Sequence, residues 1–271
     1  MVDKPLIGRK REQEILQKLL HSYEAEMVAV IGRRRVGKTY LIQTVYKNRI
    51  NFEVSGIQNA PRKEQLKNFT NQLKTFAPKG FKLTKPKDWL DAFFLLIDVL
   101  KLKDQKEKLV VFFDEIPWMS THKSGFLRGL SYFWNSWAVQ QNIVVVICGS
   151  AASWMIKKVI RHKGGLHNRV TKRIHLKPFT LEETKMYLDS RNIHFDHYQI
   201  VQLYMAMGGI PHYLKEIEGG RSAIQNIDQI CFSETGLLHD EFLSLYPALF
   251  DNAEKHIFCL LYTSPSPRDR G

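Results

Sequence analysis

Residues 32–39 read Gly32-Arg33-Arg34-Arg35-Val36-Gly37-Lys38-Thr39, the spacing G-x-x-x-x-G-K-[ST], in which each fixed position has its own task around a triphosphate. The glycines let the backbone curl so that successive N–H groups point inward at phosphate oxygens. Lys38 reaches the β- and γ-phosphates and the Thr39 hydroxyl is a ligand for Mg²⁺. With Tyr40 in the turn that follows, residues 32–40 form the candidate cradle for a nucleoside triphosphate. Further along, Asp114-Glu115 closes an apolar run. An acid at such a strand end holds Mg²⁺ through water, and a following glutamate can polarise an attacking water. Asp114 is therefore the candidate metal-shell residue, together with Thr39, and Glu115 the candidate catalytic base.

The elements that must position these groups are visible as changes of period. Met27-Val28-Ala29-Val30-Ile31 is a short apolar run suited to a buried strand. Apolar residues then recur at helical spacing from Thr39 to Tyr46, which sets the phosphates at a helix N-terminus. Lys108 to Phe113 and Asn142 to Ser150 give two more apolar strands, and 51–54 and 173–176 two further ones. Helical periodicity marks roughly 10–21, 61–76, 88–102 and 124–139. Alternating strands and helices imply a parallel sheet covered on both faces, with nucleotide at the C-terminal strand edge. In the additional-strand class of P-loop ATPases, a strand such as 142–150 lies between the other two and its terminal polar side chain senses the γ-phosphate. Ser150 fits that role, and equally the N-cap of a helix over 151–155. Beyond Pro178-Phe179 the strand signal stops, and helices fit 181–191, 196–206, 211–218 and a stretch near 221–231. The first opens with Thr180-Leu181-Glu182-Glu183, an N-cap followed by acidic first-turn residues.

The chain has 271 residues, with 40 Lys+Arg against 27 Asp+Glu and a formal net charge of +13. A basic excess favours polyanionic partners without specifying a dedicated site. The excess is concentrated in 156–181, where Lys157, Lys158, Arg161, Lys163, Arg169, Lys172, Arg173 and Lys177 occur with no acid up to Leu181. That segment reads either as a solvated face with an anion-sensing arginine or as a nucleic-acid-facing stripe. Arg33, Arg34 and Arg35 are open to the same choice between solvation or carboxylate pairing and a partner-facing role. No apolar stretch is long enough to span a bilayer. Cys148, Cys231 and Cys259 lack metal-ligand spacing and suit a reducing cytoplasm. His162, His167 and His175 have no paired acidic ligand and read as non-metal. Trp134 and Trp137, three apart, read as core.

Taken together, Leu6-Ile7-Gly8-Arg9, the GRRRVGKT loop, FFDE, ICGSAASWM, Asn168-Arg169 and Gly208-Gly209-Ile210-Pro211 resemble the prokaryotic archaeal-type ATPases of the AAA+ superfamily, a group close to the STAND nucleotide switches. The resemblance implies an α/β P-loop NTPase fold, a three-layer parallel sheet with a C-terminal helical lid. It divides the chain into an ATPase core over 1–178 and a helical lid with the start of a truncated region over 179–258. It implies that Ile7, Gly8, Arg9, Ile210 and Pro211 flank the adenine. It also implies that Arg169 contacts the γ-phosphate in cis or from a neighbouring subunit of a homo-oligomer. Lys10 stands where the family usually has Glu, and Gly165-Leu166-His167-Asn168-Arg169 is a loose form of its Pro-Leu-x-x-Arg. The expected function is slow, Mg²⁺-dependent ATP hydrolysis driving a conformational switch or remodeller. The rivals are an ATP-gated DNA-binding module, since relatives often continue into winged-helix and nuclease-like domains, and a scaffold that binds ATP without turnover.

Residues 259–271, Cys259 to Gly271, change character abruptly. Ser-Pro-Ser-Pro with mixed charge is a disordered composition, and the stretch resembles the translation of a transposase-based sequencing adaptor. The expectation is a fragment carrying a technical scar, to be set aside in fold reasoning.

Overall fold

The structure is a computed structural model and describes residues 6–103, 106–121, 123–160, 166 and 168–239. The tail 259–271, together with Arg161, His162, Lys163 and His167, lies outside the described residues. The chain divides into two compact units, the first through Lys177 and the second from Pro178.

In the first unit, helix α1 (Lys10–Leu20) leads to β1 (Glu26–Ile31) and α2 (Lys38–Val45), then β2 (Ile50–Ser55), α3 (Arg62–Phe76) and α4 (Trp89–Lys101). Strand β3 (Leu109–Asp114), the short α5 (Ile116–Met119), α6 (Phe126–Ser136), β4 (Ile143–Gly149), the short α7 (Ala152–Met155) and β5 (Lys172–His175) follow. The five strands are all parallel, in the order β2-β3-β4-β1-β5. The expected interposition of the third apolar strand is met, since β4 pairs with β3 on one side and β1 on the other. Both β3 and β4 are buried at every position, which explains why they read as unbroken apolar runs rather than alternating ones.

One sheet face carries Ala29, Ile31, Val111, Phe113, Val145 and Ile147 into a core shared with α3, α4 and α6. Rings dominate that core: Phe93 lies 5.5–6.4 Å, centroid to centroid, from Phe69, Trp89, Phe113, Phe126 and Phe133. A Cβ on Gly129 would come within 2.6 Å of the Phe93 ring, so this glycine sets how closely α6 approaches α4. The alternate residues Val28, Val30, Val110, Phe112, Val144, Val146 and Cys148 are also buried. On the other side α1 meets α2, where the buried Tyr46 hydroxyl donates to Leu16 O at 2.9 Å. At the N-terminal end of the sheet, Lys108 Nζ donates to Ser22 O (2.7 Å) and Glu24 O (2.6 Å), fixing the start of β3 against the turn before β1.

The second unit contains α8 (Leu181–Asp189), α9 (His197–Met207), α10 (Pro211–Leu214) and α11 (Ala223–Ile227). Thr180 caps α8 as expected, and Glu183 completes a reciprocal cap with it; Gly208, at φ 68°, ends α9 in the left-handed conformation that glycine tolerates. The helix read over 211–218 stops at Leu214. Asn226 Oδ1 accepts from Glu218 N at 2.8 Å while its Nδ2 donates to Glu218 O at 3.2 Å, capturing backbone that a longer helix would need. The stretch near 221–231 is α11 continued by a wide turn over Asp228–Phe232.

Candidate nucleotide site

The phosphate loop leaves β1 at Ile31. Leu176 N donates to Ile31 O at 2.8 Å, and a Cβ on Gly32 would lie 2.4 Å from Leu176 O, so only glycine fits there without displacing backbone. The loop then curls through Arg35 (φ 67°) to Gly37 (φ 90°), which caps α2. Lys38, 5% exposed, donates from Nζ to Gly32 O and Arg33 O at 2.9 Å each, so its ammonium lies across the mouth of the loop. Upstream, Gly8 and Arg9 are both left-handed. Gln13 Nε2 donates to Gly8 O at 2.7 Å, and Arg9 Nη2 donates to Val36 O at 3.4 Å. The segment after Ile7 is thereby fastened to the loop.

The acidic side is built at the ends of β3 and β4. Thr39 Oγ1 donates to Asp114 Oδ2 at 2.7 Å, while Asp114 Oδ1 accepts from Glu115 N at 2.9 Å. The aspartate is therefore held on both oxygens, one of them facing the first turn of α2. Glu115 has φ 47° and ψ 49°, a left-handed conformation that is uncommon for a residue with a side chain. Its Oε2 accepts from Ser150 N at 3.0 Å and from Ser150 Oγ at 2.9 Å. Because β4 lies between β3 and β1, Ser150 is delivered beside both the acid pair and the phosphate loop. The helix after it begins at Ala152, and the Ser150 hydroxyl is directed to Glu115.

Four further side chains enter this neighbourhood without a motif to announce them. Gln43 Nε2 donates to Glu53 Oε1 at 2.5 Å. Burial lifts the Glu53 carboxyl above its ordinary range, the Gln43 hydrogen bond opposes this, and the nearby Asp114 charge adds to it. Cys148 is wholly buried on the same sheet face as Asp114; burial, then the Asp114 charge, pushes its thiol well up. Trp118, in α5, lies 5.5 Å from the Arg34 guanidinium, ring centroid to Cζ. The parallel register of β3 and β4, which pairs Phe112 with Val146, and the period of two along each strand place Cys148 on the Asp114 face. The Trp118 and Gln43 contacts depend on local turns and on the β2–β3 register.

Arg33 and Tyr40 are exposed, as is Arg169 in the turn before β5. Among the described residues the Arg169 side chain makes no hydrogen bond to the phosphate loop. Ile210 and Pro211 belong to the second unit, where Ile210 is buried and Pro211 opens α10. Trp134 and Trp137 are core residues, as their spacing predicted. Among the described residues there is no group of three or more His, Cys, Asp or Glu that could hold a metal ion, and no helix is long and apolar enough to cross a membrane.

A five-stranded parallel sheet with a glycine loop, lysine and threonine at one strand and an Asp-Glu pair two strands away defines a P-loop ATPase fold. Residues 6–217 match the family model described as an ATPase domain predominantly from Archaea. The chain belongs to this family of archaeal-type ATPase domains. It is 24% identical over 212 residues to an uncharacterized protein of Methanocaldococcus jannaschii, a match covering 78% of this chain and 44% of that one. The chain thus spans less than half the length of that relative. Among solved structures it is similar to the Walker-type ATPase of Pyrococcus abyssi (TM-score 0.59, 18% identity, 96% of this chain and 77% of that one). It is also similar to the Aeropyrum pernix ORC2 protein in its ADPNP-ADP complexes (TM-score 0.53, 18% identity, 85% of this chain and 64% of that one).

Proposed function

We infer that the chain binds Mg·ATP and hydrolyses it. The observation that carries this reading is the paired engagement Thr39–Asp114 and Ser150–Glu115 at the mouth of a loop whose lysine is already turned inward. The Thr39 hydroxyl and the Asp114 carboxylate are hard oxygen donors of the kind Mg²⁺ takes, directly or through water, and these two residues would hold it. Bound there, Mg²⁺ neutralises charge on the β- and γ-phosphates. The loop amides from Gly32 to Lys38 and the α2 N-terminus bind phosphate oxygens, and Lys38 exchanges its loop carbonyls for the terminal phosphates. Glu115 orients a water in line with the γ-phosphorus and takes up its proton. The new P–O bond forms as the bond to the bridging oxygen breaks, giving ADP and inorganic phosphate. Ser150, beside Glu115, meets the γ-phosphate.

Ile7, Gly8 and Arg9 border the adenine, a role that the resemblance also implies for Ile210 and Pro211. The ADPNP and ADP in the Aeropyrum pernix ORC2 structure support an adenine nucleotide. Arg169 serves the γ-phosphate of its own or a neighbouring subunit's site, and the hydrolytic cycle drives a conformational switch or remodelling step. A second reading, ATP-gated binding of DNA, is favoured by one observation: Lys172, Arg173 and His175 are exposed along β5, the sheet's edge strand.

Lys38→Ala and Glu115→Gln test the first reading. Calorimetry should show ATP binding lost in the former. The latter should keep ATP bound while phosphate release falls by a factor of about 10² or more. ATP affinity unchanged in Lys38→Ala would overturn the site, and wild-type turnover in Glu115→Gln would remove the glutamate as base.

A further inference from the structure

Arg34 sits midway along the phosphate loop, and among the described residues its guanidinium forms no ion pair with a carboxylate. It lies over the ring of Trp118, 5.5 Å from Cζ to the centroid. Trp118 belongs to α5, the turn that begins directly after Glu115, and α5 is fixed from the opposite side. The buried Gln65 of α3 donates from Nε2 to Trp118 O at 3.1 Å and to Ile57 O at 2.6 Å, and accepts from Ile57 N at 3.1 Å. Trp118 N in turn donates to Glu115 O at 3.0 Å, and a Cβ on Gly56 would approach Glu115 O to 2.6 Å. The backbone under Trp118 is therefore pinned by packing and hydrogen bonds. The Arg34 stack is a contact through which the phosphate loop touches that pinned turn.

We propose that Arg34 and Trp118 form a nucleotide-responsive pair, in which a triphosphate seated in the loop draws the Arg34 guanidinium off the Trp118 ring and onto its terminal phosphate. This rests on the nucleotide reading above and adds to it a residue that tells ATP from ADP. The direction of the exchange follows from relative strength. A cation over a half-exposed ring is weakly held, whereas a guanidinium can grip a phosphate with two parallel charge-assisted hydrogen bonds. Arginine is suited to both ends of this exchange, because its planar group stacks on rings and forks onto phosphates; lysine does neither as well. Trp118 stays where Gln65 holds it, so its ring changes surroundings without moving, and its emission reports the exchange.

The test uses the whole chain with Mg²⁺ and either a non-hydrolysable ATP analogue or ADP, followed by calorimetry and by tryptophan emission. In the wild type the analogue changes the emission, ADP changes it less, and Trp118→Phe removes the response. Arg34→Ala weakens the analogue about tenfold and ADP less than about twofold, and its emission no longer responds. Arg34→Lys, which keeps the charge and the loop's packing, gives an intermediate loss for the analogue and serves where the alanine variant fails to fold. A wild type that binds the analogue with no Trp118-dependent change in emission overturns the pair. So does a folded Arg34→Ala or Arg34→Lys with wild-type affinity for both nucleotides. A wild type that binds neither nucleotide overturns the nucleotide reading itself, a separate result.

Discussion

Glu115 is fixed by its own left-handed backbone and by two hydrogen bonds from one residue, Ser150. Replacing Ser150 by alanine removes the hydroxyl bond and leaves the amide bond, so the carboxylate keeps its place and loses its orientation. Ser150→Ala should lower kcat by about tenfold, a part of the roughly 10²–10⁴-fold that a general base contributes. Steady-state kinetics checks this, and an unchanged kcat would make Ser150 a spectator. Glu53 supplies a pH-dependent prediction. Burial raises its carboxyl in the folded state, so its contribution to stability is fully present below the unfolded carboxylate range. It is lost as pH rises through the folded value. Glu53→Gln should therefore melt higher than the wild type near pH 7, and the gap should close toward about pH 4; thermal melts across that range decide it. Lys38, Thr39, Asp114, Glu115 and Ser150 were legible in the sequence because each residue type has a fixed task at a strand end or loop. Trp118, Gln65 and Glu53 were not, since their partners come from tertiary register and carry no spacing of their own.

Among the elements, the central strands were the most legible. Burial on both faces makes β3 and β4 continuously apolar, and that composition leaves few alternatives to a parallel sheet. The short α5 carries no such signal, because four residues starting at Ile116-Pro117 show no helical period. The end of α10 was equally hidden, for it is decided by the distant side chain of Asn226. The contact between the loop after β1 and the end of β5 is another such tertiary demand. At Gly32 the obstacle to a side chain is the backbone carbonyl of Leu176, which cannot swing aside as a flexible side chain can. Gly32→Ala should cost about 1–3 kcal/mol in overpacking. That lowers Tm by several degrees for a chain of this size, roughly 2–4 °C per kcal/mol, and weakens ATP as the loop shifts from β5. Unaltered Tm and affinity would mean that β5 yields freely.

At the scale of the whole molecule, the charge of +13 gives any polyanion a non-specific attraction, so DNA retention by itself discriminates nothing. The discriminating quantity is the salt slope and where on the surface it originates. Each phosphate neutralised adds about 0.9 to the steepness with which log affinity falls against log salt. Lys172 and Arg173 are exposed on β5, the edge strand, whose far side pairs with no strand among the described residues. They are also separate from the hydrogen bonds that hold Lys38, Asp114 and Glu115. If β5 faces DNA, Lys172→Glu combined with Arg173→Glu should flatten the slope by about two and leave ATP affinity within about twofold. If attraction is spread over the surface, changing the net charge by four units weakens binding at low salt with little change of slope. Titrations of a short duplex at several salt concentrations, with and without ATP, separate the two. An unchanged slope, or one indifferent to ATP, rules out the ATP-gated DNA reading.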